Sequence, residues 1–136
     1  MATVTTKLSI NSTDLLSDSL SISQSDSWTS VTQGGIQSEK ITGTTGSPTT
    51  LYVHGDWYTL SGSAEAAVKL YFMNKDTTST DYIYIRIGAV DVAKLRGGEF
   101  CWLPWDTSSS GADDIKVWAT TSGTILEHGA FTPAGA

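Results

Sequence analysis

A lone cysteine, Cys101, rules out an internal disulfide in this chain of 136 residues, so its core has to hold the fold without covalent staples. Cys101 sits between Phe100 and Trp102 with no nearby His or Lys to lower a thiol pKa, and is expected to be a buried small hydrophobe rather than a nucleophile. Long apolar runs are missing too. Nothing approaches the roughly 20 residues that span a bilayer, and residues 1–7 lack the basic flank and apolar run of a signal peptide. The expectation is synthesis in a cytoplasm and no membrane partner. Basic residues are scarce: 8 Lys and Arg stand against 14 Asp and Glu, for a net charge of −6 and a pI near 4.6. That balance argues against nucleic acid, which is held by clustered Lys and Arg. Helical periodicity also never lasts the roughly 10 residues a helix needs.

Hydroxyls and β pattern are what the chain does have. Ser and Thr number 38, so solubility rests on hydroxyls more than on charge, and Thr favours exposed strand faces. The most regular stretch begins at Ala67-Val68-Lys69-Leu70-Tyr71-Phe72-Met73-Asn74, turns through residues 75–80, and returns along Asp81-Tyr82-Ile83-Tyr84-Ile85-Arg86-Ile87. Ile83, Ile85 and Ile87 share the face that points to the core, opposite Tyr82, Tyr84 and Arg86. Residues 90–95 read as a short strand, Gly97-Gly98 as a tight hairpin turn, and residues 99–103 as its return, ended by Pro104. Residues 106–114 form a polar loop, residues 115–119 alternate again, and Ser122-Gly123 turns the chain into residues 124–128. The stretch predicts a meander of six short strands.

Upstream, residues 3–10 read as a strand with Val4, Leu8 and Ile10 as core positions. Residues 11–14 are turn chemistry, and residues 19–24 form a second strand with Leu20 and Ile22 on one face. Asn11-Ser12-Thr13 fits a glycosylation pattern that needs secretion to matter. Residues 34–41 are a third strand, and residues 42–50 a loop. Leu51-Tyr52-Val53-His54 and Trp57-Tyr58-Thr59-Leu60 read as two half-strands kinked at Gly55-Asp56, or as one bulged strand. Residues 61–64 are another loop. No linker divides the chain. About ten short, mostly antiparallel strands in one domain over residues 1–136 predict an all-β sandwich of jelly-roll type.

Chemistry is sparse. Serines abound, so His54 or His128 can always be written into a triad, but no Gly-x-Ser-x-Gly elbow is present and no enzyme is expected. Asp106, Asp113 and Asp114 bracket a polar loop without the spacing of a calcium loop, and a solvated loop is the simpler account. The two histidines would need a third ligand to hold a metal, so neither a metal nor a cofactor is expected. Five Trp and five Tyr are the surplus. Trp57, Trp102, Trp105 and Trp118 would serve as a stacking platform for sugars or as interface anchors; filling the core is the ordinary alternative. Phe100 and Trp102 share one side of their strand and Leu103 the other, so both faces carry bulk, and a second subunit or a long loop is expected to cover the outer one. Trp105, after Pro104, is the expected exposed aromatic.

The segments Val68-Lys69-Leu70-Tyr71-Phe72-Met73-Asn74-Lys75-Asp76, Tyr82-Ile83-Tyr84-Ile85, Leu95-Arg96-Gly97-Gly98-Glu99-Phe100-Cys101-Trp102-Leu103-Pro104-Trp105 and Ile125-Leu126-Glu127-His128-Gly129-Ala130-Phe131 resemble small virion proteins of tailed bacteriophages of marine and cyanobacterial hosts. The opening Thr6-Lys7-Leu8-Ser9-Ile10 with Asp18-Ser19-Leu20-Ser21-Ile22 is similar to their starts. The resemblance touches most of the chain outside residues 31–64. It implies a structural β-sandwich made in the host cytoplasm and built into the virion, most simply a capsid decoration protein bound to the major capsid protein or to other virion proteins. A tail, neck or fibre component, or a carbohydrate-binding module, are the alternatives. A homo-oligomer is expected, with a trimer as the first guess. Expected contact elements are residues 2–6, with Val4 and Thr5, and residues 104–111, with Trp105 and Asp106, alongside Trp57 and Trp102.

Overall fold

In the computed structural model, which describes residues 2–15, 17–61, 68–107 and 113–133, nine strands and one helix follow one another. They are β1 (Ala2–Ser12), β2 (Leu20–Ile41), β3 (Thr49–Tyr52), α1 (His54–Ser61), β4 (Val68–Asn74), β5 (Ile83–Ile87), β6 (Val90–Leu95), β7 (Phe100–Trp105), β8 (Ile115–Ala119) and β9 (Thr124–Pro133). Every strand pairing is antiparallel. A five-stranded sheet runs β1-β2-β9-β4-β7 and a four-stranded sheet runs β3-β8-β5-β6. The fold is all-β, as its alternating sequence predicts.

Period-two alternation builds the core. Val68, Leu70 and Phe72 of β4 and Leu126 of β9 point inward from the larger sheet. Ile83 and Ile85 of β5 with Ile115 and Val117 of β8 point inward from the smaller one, and all join one apolar cluster. The two inner faces therefore make a sandwich. The central pairing is very close: a Cβ on Gly129 of β9 would run into the Gly35 carbonyl oxygen of β2. Only glycine fits there.

The predicted meander is not formed. Of the six strands from β4 to β9, only β5 and β6 are neighbours in both chain and space. The chain otherwise steps across the core at each turn, from β4 to β5, from β6 to β7, from β7 to β8 and from β8 to β9. Gly98, at φ +88°, thus serves a crossover between sheets instead of a hairpin, and Gly123, at φ +94°, does the same before β9. Period two shows which face of a strand is buried, but both sheets bury a face in the same core, so the pattern is blind to which sheet a strand joins.

Three other expectations change. The separate second and third strands are one strand of 22 residues, β2, joined through residues 25–33. Residues 54–61 are helical, not extended. The His54 N–H there donates to the Asp114 carboxylate at 2.9 Å, so the helix start is capped by a side chain far along the sequence, which places a negative charge at the positive end of the helix. Pro104 does not end β7, which continues to Trp105; proline is tolerated because β7 is the edge of its sheet and one side of the strand needs no N–H donor. The loop expected over residues 61–64 falls, beyond Ser61, outside the described residues.

Candidate functional site

The long strand β2 belongs to two structures in turn. Its second half pairs with β9 in the body, while its first half pairs only with β1, from Ser12 opposite Leu20 to Val4 opposite Trp28. The switch falls at a register shift between Val31 and Gln33, followed by Gly34-Gly35, where the strand can bend. Residues 2–12 and 20–27 are therefore a two-stranded arm with little burial on either face. Its turn is closed as the turn residues predict, the Ser12 hydroxyl accepting from the Leu15 N–H at 3.1 Å. The predicted core positions Leu8 and Ile10 are instead exposed, at 49% and 43%, and Val4 is half-buried.

The arm has two unlike faces. Val4, Thr6, Leu8 and Ile10 share one with their partners Asp26, Gln24 and Ile22; the other carries Thr5, Lys7, Ser9, Ser23, Ser25 and Ser27. On the polar face the Thr5 and Ser27 hydroxyls meet at 2.7 Å. Across a groove of about 590 Å³ the arm's residues 6–8 and 24–26 face Lys69 and Tyr71 of β4 and Phe100, Trp102 and Pro104 of β7. Trp102 also lies against Phe131 at 5.9 Å between ring centroids. The bulky outer face of β7 is thus met by the chain's own arm, yet Phe100 stays 65% exposed.

Of the expected contact residues, the groove gathers Trp102 and Pro104, and Val4 and Thr5 lie on the strand that forms its other wall. Asp106 is exposed just past β7, and residues 108–111 fall outside the described residues. One expectation fails. Trp105 is only 2% exposed, because it ends β7 on the same side as Cys101 and Leu103 and enters the core. Trp57 lies on α1, edge-on to Tyr52 at 5.5 Å and packed on the core. The aromatic platform is not assembled either, since Trp118 lies on β8 in the other sheet, stacked on Tyr84 at 4.1 Å. That pair is braced by Asp91, which accepts from Trp118 Nε1 at 3.1 Å and from Arg86 Nε at 2.8 Å. The arm's exposed apolar residues were visible in the sequence; what hid their role was that strands with the same alternation elsewhere do form the core.

One buried polar pair remains. The Tyr52 hydroxyl and His128 Nδ1 lie 2.6 Å apart, with His128 only 1% exposed and its Nε2 facing Glu39 Oε1 at 3.7 Å. An N–H on Nε2 suits the nearby carboxylate, so Nδ1 is the acceptor and the tyrosine hydroxyl donates. Burial lowers the His128 pKa, against the opposing pull of Glu39, and burial followed by Glu39 raises that of Tyr52 far above the usual phenol range. The histidine is engaged with a tyrosine, not with a serine. Among the described residues no group of three or more His, Cys, Asp and Glu is placed to hold a metal ion. Burial also raises the Cys101 pKa, in keeping with a packed thiol.

The lowered His128 pKa has a sign that can be read in solution. The unfolded chain accepts a proton near pH 6.5 that the folded chain resists. Stability from this group is complete above that pH and is lost as pH falls below it, at no more than about 1.4 kcal/mol per pH unit. Urea midpoints followed downward from neutral pH are expected to fall more steeply for the natural chain than for His128→Gln. Equal slopes would show that His128 takes up its proton as readily folded as unfolded.

Compared with known proteins, the chain matches no family model, no curated protein and no solved structure.

Proposed function

We propose that this chain is a non-enzymatic structural protein of a tailed-bacteriophage virion, a decoration protein that binds the head lattice through the major capsid protein. The observation that supports this most is the strand order. With β1 set aside, the sheets run β2-β9-β4-β7 and β3-β8-β5-β6, which we read as the eight-stranded, double Greek-key order of a jelly roll, an architecture used in viral capsids. To it is added an arm with an open edge and exposed Leu8, Ile10 and Ile22, the kind of element that reaches a neighbour. The resemblance of the strand and turn segments to phage virion proteins points the same way, and a tail, neck or fibre position is the nearest variant of this reading. Jelly rolls also occur in lectins, and the groove beside Tyr71 and Trp102 favours a glycan-binding module as the second reading. Fold alone does not separate the two.

Immunogold electron microscopy of gradient-purified particles, with antibody to this chain, tests the proposal. Label spread over heads is expected. Label confined to tails would move the protein to the tail variant, and label only in the soluble lysate would defeat the virion reading and make a glycan array the next measurement.

A further inference from the structure

The two sheets end in four edges, and three of them are poor templates for another strand. β7 carries Pro104, which has no N–H to offer. β3 has 4 residues with a register shift inside them. β6 carries Asp91 and Lys94 and opposes a register shift at Ile85/Arg86. Such features block edge-to-edge pairing in natural sheets. β1 is different. It is 11 residues long, has no proline, and its only shift lies at the Ala2/Val4 end. Among the described residues its backbone hydrogen-bonds β2 alone. In the sheet β1 is separated from β9, β4 and β7 by β2, so no strand of the body occupies its outer edge. A two-stranded ribbon of this kind is marginal by itself, and further strands would consolidate it.

Charge says what the added strand is. The chain carries a net −6, yet β1 contains one lysine and no carboxylate, so everything outside β1 sums to −7. β1 is therefore an edge at which two copies of the same acidic chain can meet without setting carboxylate against carboxylate. Antiparallel pairing of β1 with itself keeps the faces matched, even positions opposite even ones. Centring the pair on Lys7 would oppose the two lysines, which is unfavourable. Centring it on Leu8 would set Val4 against Ser12 and Thr6 against Ile10. Centring it on Thr6 sets Val4 against Leu8 twice, Thr3 against Ser9 twice and Thr5 against Lys7 twice, with no like charges opposed.

We propose that two copies of this chain associate through their β1 edges, antiparallel and centred on Thr6, so that the arms form a continuous four-stranded sheet with one apolar and one hydroxyl-rich face. The interface is isologous and closes at two, in place of the trimer first guessed from the sequence. It holds whether or not the protein belongs to a virion.

Sedimentation equilibrium of the purified full chain is expected to show a monomer–dimer equilibrium. The pairing of Thr5 with Lys7 of the other copy makes the register testable at an exposed position that leaves the apolar face untouched. Thr5→Glu places an acid opposite each lysine and is expected to tighten the dimer roughly three- to tenfold, while Thr5→Lys loosens it by a similar factor. Adding Lys7→Glu to Thr5→Lys sets opposite charges across the interface again, with their signs exchanged, and is expected to tighten the dimer as Thr5→Glu does. Circular dichroism of each variant should remain that of the natural chain. A monomer at every concentration overturns the proposal, as does a dimer indifferent to the Thr5 series, or an edge that pairs only with a strand from a different protein.

Discussion

Replacing Trp105 with alanine is expected to lower the unfolding free energy by about 4 kcal/mol, as truncation of a large buried aromatic does. Trp105 is 2% exposed, stands opposite Val68 in the β4–β7 register, and contacts the His54 ring edge-on at 6.0 Å. Its indole N–H has no hydrogen-bond partner among the described residues, so the loss is one of packing. Domains of this size have about 5–15 kcal/mol in total, so the alanine variant loses from about a quarter to most of its stability. Trp105→Phe, which keeps a ring in the site, is expected to cost about 1–2 kcal/mol and serves as the measurable companion. Urea unfolding with an unchanged slope is the readout. An alanine effect within about 0.5 kcal/mol, the usual range for a surface change, would return Trp105 to the surface position that its place after Pro104 suggests.

Asn74 should matter almost as much, although its side chain is small. It is fully buried at the inner end of β4, where the chain leaves the larger sheet. Its Nδ2 donates to the Asp81 carbonyl at 2.7 Å and to the Leu95 carbonyl at 3.0 Å, and its Oδ1 accepts from the Asp76 N–H at 3.0 Å. Its backbone accepts from Gly98 at 2.9 Å and donates to Glu99 at 3.0 Å. One residue thus ties both crossovers, the one into β5 and the one out of β6. Asn74→Ala abandons three side-chain hydrogen bonds in a closed site, for an expected loss of about 3 kcal/mol at roughly 1 kcal/mol each. Asn74→Asp keeps the shape but removes both donors and should do as badly. A loss under about 1 kcal/mol in the alanine variant would mean that the two crossovers are held without it.

What was legible in the chain was whatever two-residue periodicity determines. The inward isoleucines Ile83 and Ile85, the strands at residues 68–74 and 115–119, and the all-β class all follow from side chains alternating across a strand. Partnership is a different kind of information. β1 alternates too, though more weakly than β5, yet Leu8 and Ile10 are exposed while Ile83 and Ile85 are sealed, because burial depends on which sheet arrives opposite. Trp105 misled because proline is read as a stop, and on an edge strand it is not one. The helix at residues 54–61 was hidden because the carboxylate that caps it belongs to Asp114. Val4, Thr5 and Trp102 were singled out as aromatic or terminal residues, and the groove places Trp102 opposite the strand that carries the other two, but nothing local in the chain sets that arm across from that face.

The place of β9 bears on how the chain reaches this state. β9 is the last strand in sequence and lies between β2 and β4 in space. Until it is present, the larger sheet consists of two separate ribbons, β1 with β2 and β4 with β7, neither of which is stable alone. A ribosome delivering this chain therefore makes this keystone after all the strands it joins. The larger sheet can close only after β9 has been made, by pairings between residues far apart in the chain that carry the loop-closure cost of slow-folding β topologies. During that interval the exposed strand edges of nascent chains are open to one another, and a chain that stops short of β9 cannot complete its larger sheet.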